Sequence, residues 1–255
     1  GRTPRSNAAT YTGVLDEIRK LYSATKLARQ RGYNVSRFSF NNKSGCCPGC
    51  AGQGQKRIEM TFMPDLFVVC EVCVGRRYNR ATLDVKFKEL SIADVLDLTV
   101  IDARSVFEGI DKVDRILKSL EDVGLGYLKL GQPATSLSGG EAQRLKIAKC
   151  LSQPKMEKTL FVLDEPSTGL HCADLDRLYI VLRDLVERGN SVLVIEHNLQ
   201  LITQADYVID FGPFGGDLGG RIVAQGTPDQ LVKQSSSLTA RYLAEWLSHP
   251  VQESL

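Results

Sequence analysis

The sequence predicts an α/β fold in which a parallel sheet carries the core and a four-cysteine module stands apart from it. Two continuous apolar runs, TLFVL at 159–163 and SVLVI at 191–195, are of the kind buried on both faces of a parallel sheet, and a helical stretch from about Cys172 to Arg188 joins them. Two C-x₂-C pairs, Cys47/Cys50 and Cys70/Cys73, stand 19 residues apart and point to a metal-organised segment. Between these features, residues 91–124 repeat the apolar spacing of short amphipathic helices. A chain of 255 residues, 43% hydrophobic and 24% charged, is long enough for one large core or for a core with a smaller satellite. No internal repeat is evident.

Charge and hydropathy exclude several classes. A net charge of +2 is too small to argue nucleic-acid or membrane binding on its own, so any basic surface must come from local clustering. No apolar run approaches the length of a membrane span, and GRTPRSNAATYTG lacks the apolar centre of a signal peptide. The expectation is a cytoplasmic protein with no membrane partner. Because the sequence begins at Gly1 instead of methionine, it is expected to be cut from a longer polypeptide.

Taken in order, GRTPRSN is an irregular stretch whose Arg2 and Arg5, with hydrogen-bonding Ser and Asn, form a candidate DNA phosphate contact. TGVLDEIRKLYSATKLARQRG places Val14, Leu15, Ile18, Leu21, Tyr22 and Leu27 at helical spacing and predicts one amphipathic helix ended by Gly32.

The cysteine segment follows. Two C-x₂-C knuckles at this separation fold four thiolates tetrahedrally around one zinc, and Gly49 and Gly52 suit the tight backbone that each knuckle needs. Cys46 is a fifth thiol beside the first knuckle; Cys47 keeps the two-residue gap, so the ligands are read as Cys47, Cys50, Cys70 and Cys73. With no His or carboxylate in the knuckles the site is closed, which makes the metal structural. KRIEMTFM and LFVV alternate enough for two short antiparallel strands turning at Pro64-Asp65, a zinc-ribbon-like hairpin. GRRYNR then interleaves Arg76, Arg77 and Arg80 with Tyr78, which is either a contact to DNA phosphates and bases or a solvated basic face.

From residue 91 the elements are SIADVLDLT with Ser91 as its cap, IDARSVFEGI, and DKVDRILKSLEDVGLG. In LSGGEAQRLKIA, a serine cap and two glycines open a helix whose end amides suit an anion. LFVLDEPSTGLH is an apolar strand that delivers Asp164 and Glu165 to the carboxyl edge of a parallel sheet, where one acid can hold magnesium and the next can polarise a water. SVLVIEHN delivers His197 near the same edge. DYVIDFG and GRIVAQG are shorter strands, and TPDQLVKQ and TARYLAEWLSH are closing helices.

In this order and spacing, these motifs resemble the signature, Walker B and switch regions of an ATP-binding-cassette (ABC) ATPase. With the upstream four-cysteine ribbon, DVGLGYLKLGQPATSLSGGEAQRLKIA, LDEPSTGLH and VLVIEHNL are similar to the C-terminal ABC module of the UvrA family, the damage-scanning ATPases of bacterial nucleotide excision repair. GRTPRSNAATYTG and ADYVIDFGPFGGDLGGRIVAQGTP match that family too, so the likeness covers essentially the whole chain. Cys46, Ser167 and Phe214 depart from the usual pattern without touching the expected chemistry.

The resemblance implies a partial ABC-type ATPase: a P-loop-NTPase-like α/β sheet with helices, an inserted helical signature region and the zinc-ribbon-like module. Its implied parts are a basic loop and helix at 1–43, a zinc-binding module at 44–90, a helical signature subdomain at 91–152, and an ATPase core at 153–255. Ser138, Gly139, Gly140 and Glu141 would be signature residues facing ATP, Asp164 the magnesium-site acid, Glu165 the hydrolytic glutamate and His197 the switch histidine. The implied cofactors are structural Zn²⁺, ATP and Mg²⁺. The implied partners are lesion-bearing double-stranded DNA, the other ABC module, a second UvrA subunit and a UvrB-like repair subunit. G-x-x-x-x-G-K-[ST] appears nowhere in the 255 residues, so the chain alone is expected to hold ATP poorly and not to turn it over. Two other readings use the same motifs: a catalytically silent zinc and DNA-binding remnant, and a transporter-type nucleotide-binding subunit.

Overall fold

The computed structural model describes residues 5–60, 66–153, 158–214, 219–234 and 237–248. The chain divides into two units, Gly1–Glu157 and Lys158–Leu255. In the first, Asn7 opens α1 (Ala8–Thr12): its side chain accepts from Thr10 N at 2.8 Å while the Thr10 hydroxyl accepts from Asn7 N at 3.0 Å, a reciprocal cap. Gly13, at φ +84, ends α1 in the left-handed conformation and starts α2 (Val14–Ser23). The single helix expected through residue 31 is two. At Thr25 the backbone is extended and the side chain accepts from Ala28 N, which begins α3 (Lys26–Gln30). A threonine hydroxyl favours such a cap over a helix interior, and the apolar period runs across the break without revealing it.

Strands β1 (Gln55–Ile58) and β2 (Leu66–Val69) pair antiparallel from Gln55↔Val69 to Ile58↔Leu66. The expected Pro64-Asp65 turn lies outside the described residues. After α4 (Arg80–Leu83), β3 (Lys86–Phe87) and β4 (Leu90–Ser91) form a short antiparallel pair. Then come the three expected helices, α5 (Ile92–Asp97), α6 (Val100–Val106) and α7 (Asp111–Asp122). Ser91 caps α5 as predicted, accepting from Asp94 N, and Thr99 caps α6. The core runs through a chain of rings: Tyr22 lies 5.7 Å from Phe38 and 6.2 Å from Phe87, which stacks on Phe107 at 5.7 Å. Tyr22, Phe38 and Phe107 are fully buried, each contributing about 2–3 kcal/mol of transfer free energy. Burial also raises the Tyr22 phenol well above its ordinary pKa, and its hydroxyl donates to Leu90 O at 2.7 Å, so the polar tip is not orphaned. The unit closes with α8 (Gly139–Leu151).

In the second unit, β5 (Leu160–Asp164) and β6 (Ser191–Ile195) pair parallel, from Leu160↔Ser191 to Asp164↔Ile195, with α9 (Cys172–Glu187) as the crossover. This is the predicted β-α-β connection. The expectation that both strands are buried on both faces is not met: Leu160, Val162, Leu193 and Ile195 share one face and are 50–62% exposed. Helix α9 packs against β6, while among the described residues that face of the pair stays open. After α10 (Leu199–Ile202), β7 (Val208–Gly212) and β8 (Arg221–Gly226) pair antiparallel. A small core of Ala224, Leu231, Ala240 and Leu243 ties β8 to α11 (Pro228–Leu231) and α12 (Leu238–Ser248).

Candidate functional site

Cys47, Cys50, Cys70 and Cys73 are all buried, and their sulfurs lie within 4.8 Å of one another, a set that could hold a metal ion. Cys46 stands outside the set; it is buried and bridges to Tyr78. The knuckles close on each other because their glycines leave room. A Cβ on Gly49 would sit 2.7 Å from Val72 Cγ2 and 3.4 Å from Cys70 Sγ, and one on Gly52, whose φ is +81, would sit 1.7 Å from Phe40 O. Gly54 N donates to Cys50 Sγ at 3.2 Å, and the Cys50 and Cys73 sulfurs stand 3.6 Å apart. Backbone N–H groups of Cys73 and Val72 bring Cys70 down to about 7, whereas burial pushes Cys73 up to about 12. Four buried sulfur donors with no carboxylate or imidazole among them fit a soft, four-coordinate cation and leave no open coordination position.

Of the basic residues near this module, Arg2 lies outside the described residues. The Arg5 guanidinium donates to Ala51 O at 3.1 Å, tying the N-terminal stretch to the first knuckle. Within GRRYNR, Arg76 and Arg80 are exposed, but Arg77 and Tyr78 do not join the basic and aromatic surface expected of the motif. Tyr78 is 1% exposed and donates to Phe38 O at 3.0 Å. Arg77 is 9% exposed, lies 5.3 Å from the centre of the Phe40 ring and donates to Gly131 O; burial lowers its pKa from the ordinary guanidinium value. Arg76 donates to Asp94 and to Ser91 Oγ. Arg80, in the first turn of α4, remains exposed. Arg77 and Tyr78 turn inward because Cys47 N donates to Arg77 O at 2.8 Å and the Cys46–Tyr78 bridge runs beside it.

At α8, Ser138 is the N-cap: Glu141 N donates to Ser138 Oγ at 3.2 Å, and Ser138 N donates to a Glu141 carboxylate oxygen at 2.7 Å. The Tyr127 hydroxyl donates to the other Glu141 oxygen. Burial alone would raise the Glu141 carboxyl, but the Tyr127 hydroxyl and the Ser138 amide and hydroxyl hold it below its usual range. Ser138 and Glu141 therefore shape the helix end, and the N–H groups of the first turn have no helical acceptor. A Cβ built on Gly139 meets nothing within 4 Å.

In the second unit, β5 ends at Asp164, and Glu165 N extends the ladder by donating to Ile195 O at 2.9 Å. Glu165 has φ +46, a left-handed backbone that costs a non-glycine residue about 1–2 kcal/mol and concentrates at functional sites. This turn brings the Glu165 carboxylate to 3.7 Å from His197 Nδ1, both side chains facing solvent. Asp164 is exposed at the same strand ends. The sequence reading passed over Glu196, whose carboxylate accepts from Ser167 N at 2.9 Å, His197 N at 3.0 Å and Asn198 N at 3.2 Å. An acid that directly follows an apolar strand and precedes a singled-out histidine was the signal.

The family described as ABC transporter matches residues 74–168. UvrABC system protein A of Bacillus subtilis is 58% identical over 243 residues, 95% of this chain and 25% of the relative. The protein of that name from Clostridium perfringens is 56% identical over 247 residues, 97% of this chain and 26% of the relative. The crystal structure of UvrA2 from Deinococcus radiodurans superposes with a TM-score of 0.89 at 51% identity, covering 96% of this chain and 30% of that one. The chain thus spans about a quarter of the length of the curated relatives it matches. With more than half its residues identical and the fold shared over nearly its whole length, it belongs to the UvrA family.

Proposed function

We propose that this chain supplies the signature, Walker B and switch elements, together with a zinc-organised module, of an ATP hydrolase that recognises damaged DNA in bacterial nucleotide excision repair. The observation that carries the reading is the meeting of Glu165 and His197 at 3.7 Å, beside Asp164 at the carboxyl ends of a parallel pair. Open α/β sheets bind their ligands at that edge. Asp164 would hold Mg²⁺. Glu165 would accept a proton from the water that attacks the γ-phosphate, and His197 would donate a hydrogen bond to that phosphate as its charge develops.

The signature end of α8 supports the same reading. Gly139 has space around it that this chain does not fill, as befits a backbone approached by a ligand from outside. First-turn amides and the helix dipole then favour a phosphate. In this scheme Ser138, Gly139, Gly140 and Glu141 face ATP held by the other ABC module, and closure of the two modules transmits nucleotide state to DNA. Cys47, Cys50, Cys70 and Cys73 would hold Zn²⁺, which would tie the two knuckles to each other. Arg2, Arg5 and Arg80 would contact phosphates of lesion-bearing duplex, in a dimer that passes the DNA to a UvrB-like subunit. The division into 1–43, 44–90, 91–152 and 153–255 describes these working parts.

The test is Glu165→Gln in the full-length protein. Hydrolysis is expected to fall at least about 10²-fold while nucleotide binding persists. Unchanged turnover would leave the silent zinc and DNA-binding remnant as the better reading. Equal affinity of the full-length protein for intact and bulky-adduct duplex would remove the damage-recognition part.

A further inference from the structure

We propose that Glu196 is a positioning residue for hydrolysis, a carboxylate that clamps the loop after β5 to the loop after β6 and so sets Glu165 against His197. The inference rests on the reading of that pair given above. One Glu196 oxygen accepts from Ser167 N at 2.9 Å; the other accepts from His197 N at 3.0 Å and from Asn198 N at 3.2 Å. The donors belong to two loops separated by the whole of α9. The strand ladder reaches only as far as Glu165 N to Ile195 O, and Glu165 then leaves it in a left-handed turn at φ +46. Beyond that point, the Glu196 carboxylate is a direct tie between the backbones of the two loops. The side chains themselves are weakly held among the described residues: Glu165 receives a 3.4 Å contact from the Thr168 hydroxyl, and the His197 and Glu165 side chains are 76% and 53% exposed. Their relative geometry is therefore set by their backbones, and Glu196 holds that of His197 directly and that of Glu165 through Ser167, two residues on.

A carboxylate suits the task where an amide does not. Both oxygens of Glu196 are acceptors, and ionised acceptors make the stronger bonds to backbone N–H groups. Glutamine has one oxygen and one NH₂. Either flip faces an NH₂ toward Ser167 N–H or toward the His197 and Asn198 N–H groups, releasing one loop. Aspartate is shorter by one methylene. It keeps the local acceptor role toward the amide two residues on but does not reach Ser167.

Turnover by the full-length protein separates these outcomes when combined with hydrogen exchange of peptides spanning 165–170 and 195–200. Glu196→Gln is expected to lower kcat about 10²-fold, the cost of a misplacement near 1 Å, with little change in KM for ATP and faster exchange in one or both peptides. Glu196→Asp is expected to speed exchange in 165–170 alone and to lower kcat less. Wild-type kcat in either folded variant overturns the inference; if Glu196→Gln does not fold, Glu196→Asp decides. Glu165→Gln, measured alongside, keeps the two claims apart. Its loss of turnover with Glu196 variants unaffected removes the clamp and leaves the catalytic reading standing, whereas its unaffected turnover removes both.

Discussion

Arg77 and Arg80 stand three residues apart in one basic hexapeptide, and their surroundings assign them opposite work. Arg77 lies against Phe40 and donates to Gly131 O. Its removal leaves a half-buried carbonyl without that donor, a loss of about 1 kcal/mol, along with packing from the aliphatic stem. Arg77→Ala is therefore expected to lower the denaturant midpoint of the chain clearly. Arg80→Ala should leave stability within about 0.5 kcal/mol and, on the DNA-binding reading, lower the slope of log affinity against log salt by about 1. A stable Arg77→Ala protein with the reduced salt slope would return Arg77 to the DNA-facing set. Spacing could not separate these side chains, because a C-x₂-C knuckle directs the residues after it inward through Cys47 N to Arg77 O, a contact with no sequence period.

At the scale of elements, α8 separates what the chain needs from what its ligand needs. Ser138 is engaged in a reciprocal cap with Glu141, so Ser138→Ala should lose about 1 kcal/mol of stability as well as any phosphate contact. Gly139 has open space beside it, so Gly139→Ala should fold at least as well as wild type yet impair ATP turnover in the full-length protein. Normal turnover in Gly139→Ala would mean that no phosphate approaches this backbone. The carboxylates at these caps also fix a pH response. Asp94 and Glu141 are held below their ordinary values in the folded chain, by Ser91 and Arg76 and by Tyr127 and Ser138 respectively, in each case against burial. Groups depressed on folding add stability that is present above the unfolded pKa and lost as pH falls through the folded one. Acid titration of the chain should therefore show stability declining below about pH 4.5, with Glu141→Gln flattening part of that decline. Caps of this kind were legible where one residue announced them, as at Ser91 and Ser138. The parallel pairing of β5 with β6 was legible from two apolar runs and a helical spacer. The break at Thr25 and the five-residue α1 were not, because the same apolar period continues through a helix restart, and one turn of helix is too short to show a period.

For the chain as a whole, the decisive question is where a nucleotide can be held. Tight binding of ATP needs a lysine and a run of backbone amides around the β- and γ-phosphates, and G-x-x-x-x-G-K-[ST] does not occur in these 255 residues. The chain instead carries Glu165 and His197 facing solvent, an open apolar face on the β5–β6 pair, and a capped helix end with free space at Gly139. The His197 imidazole and the α8 helix end can touch a phosphate held elsewhere; neither surrounds one. Calorimetry on residues 1–255 is therefore expected to find no micromolar binding of Mg-ATP, and phosphate release to remain at background. Micromolar affinity in the isolated chain would show that these elements form a nucleotide site unaided. The signature would then act on the chain's own ligand, and a composite site with a second ABC module would no longer be required.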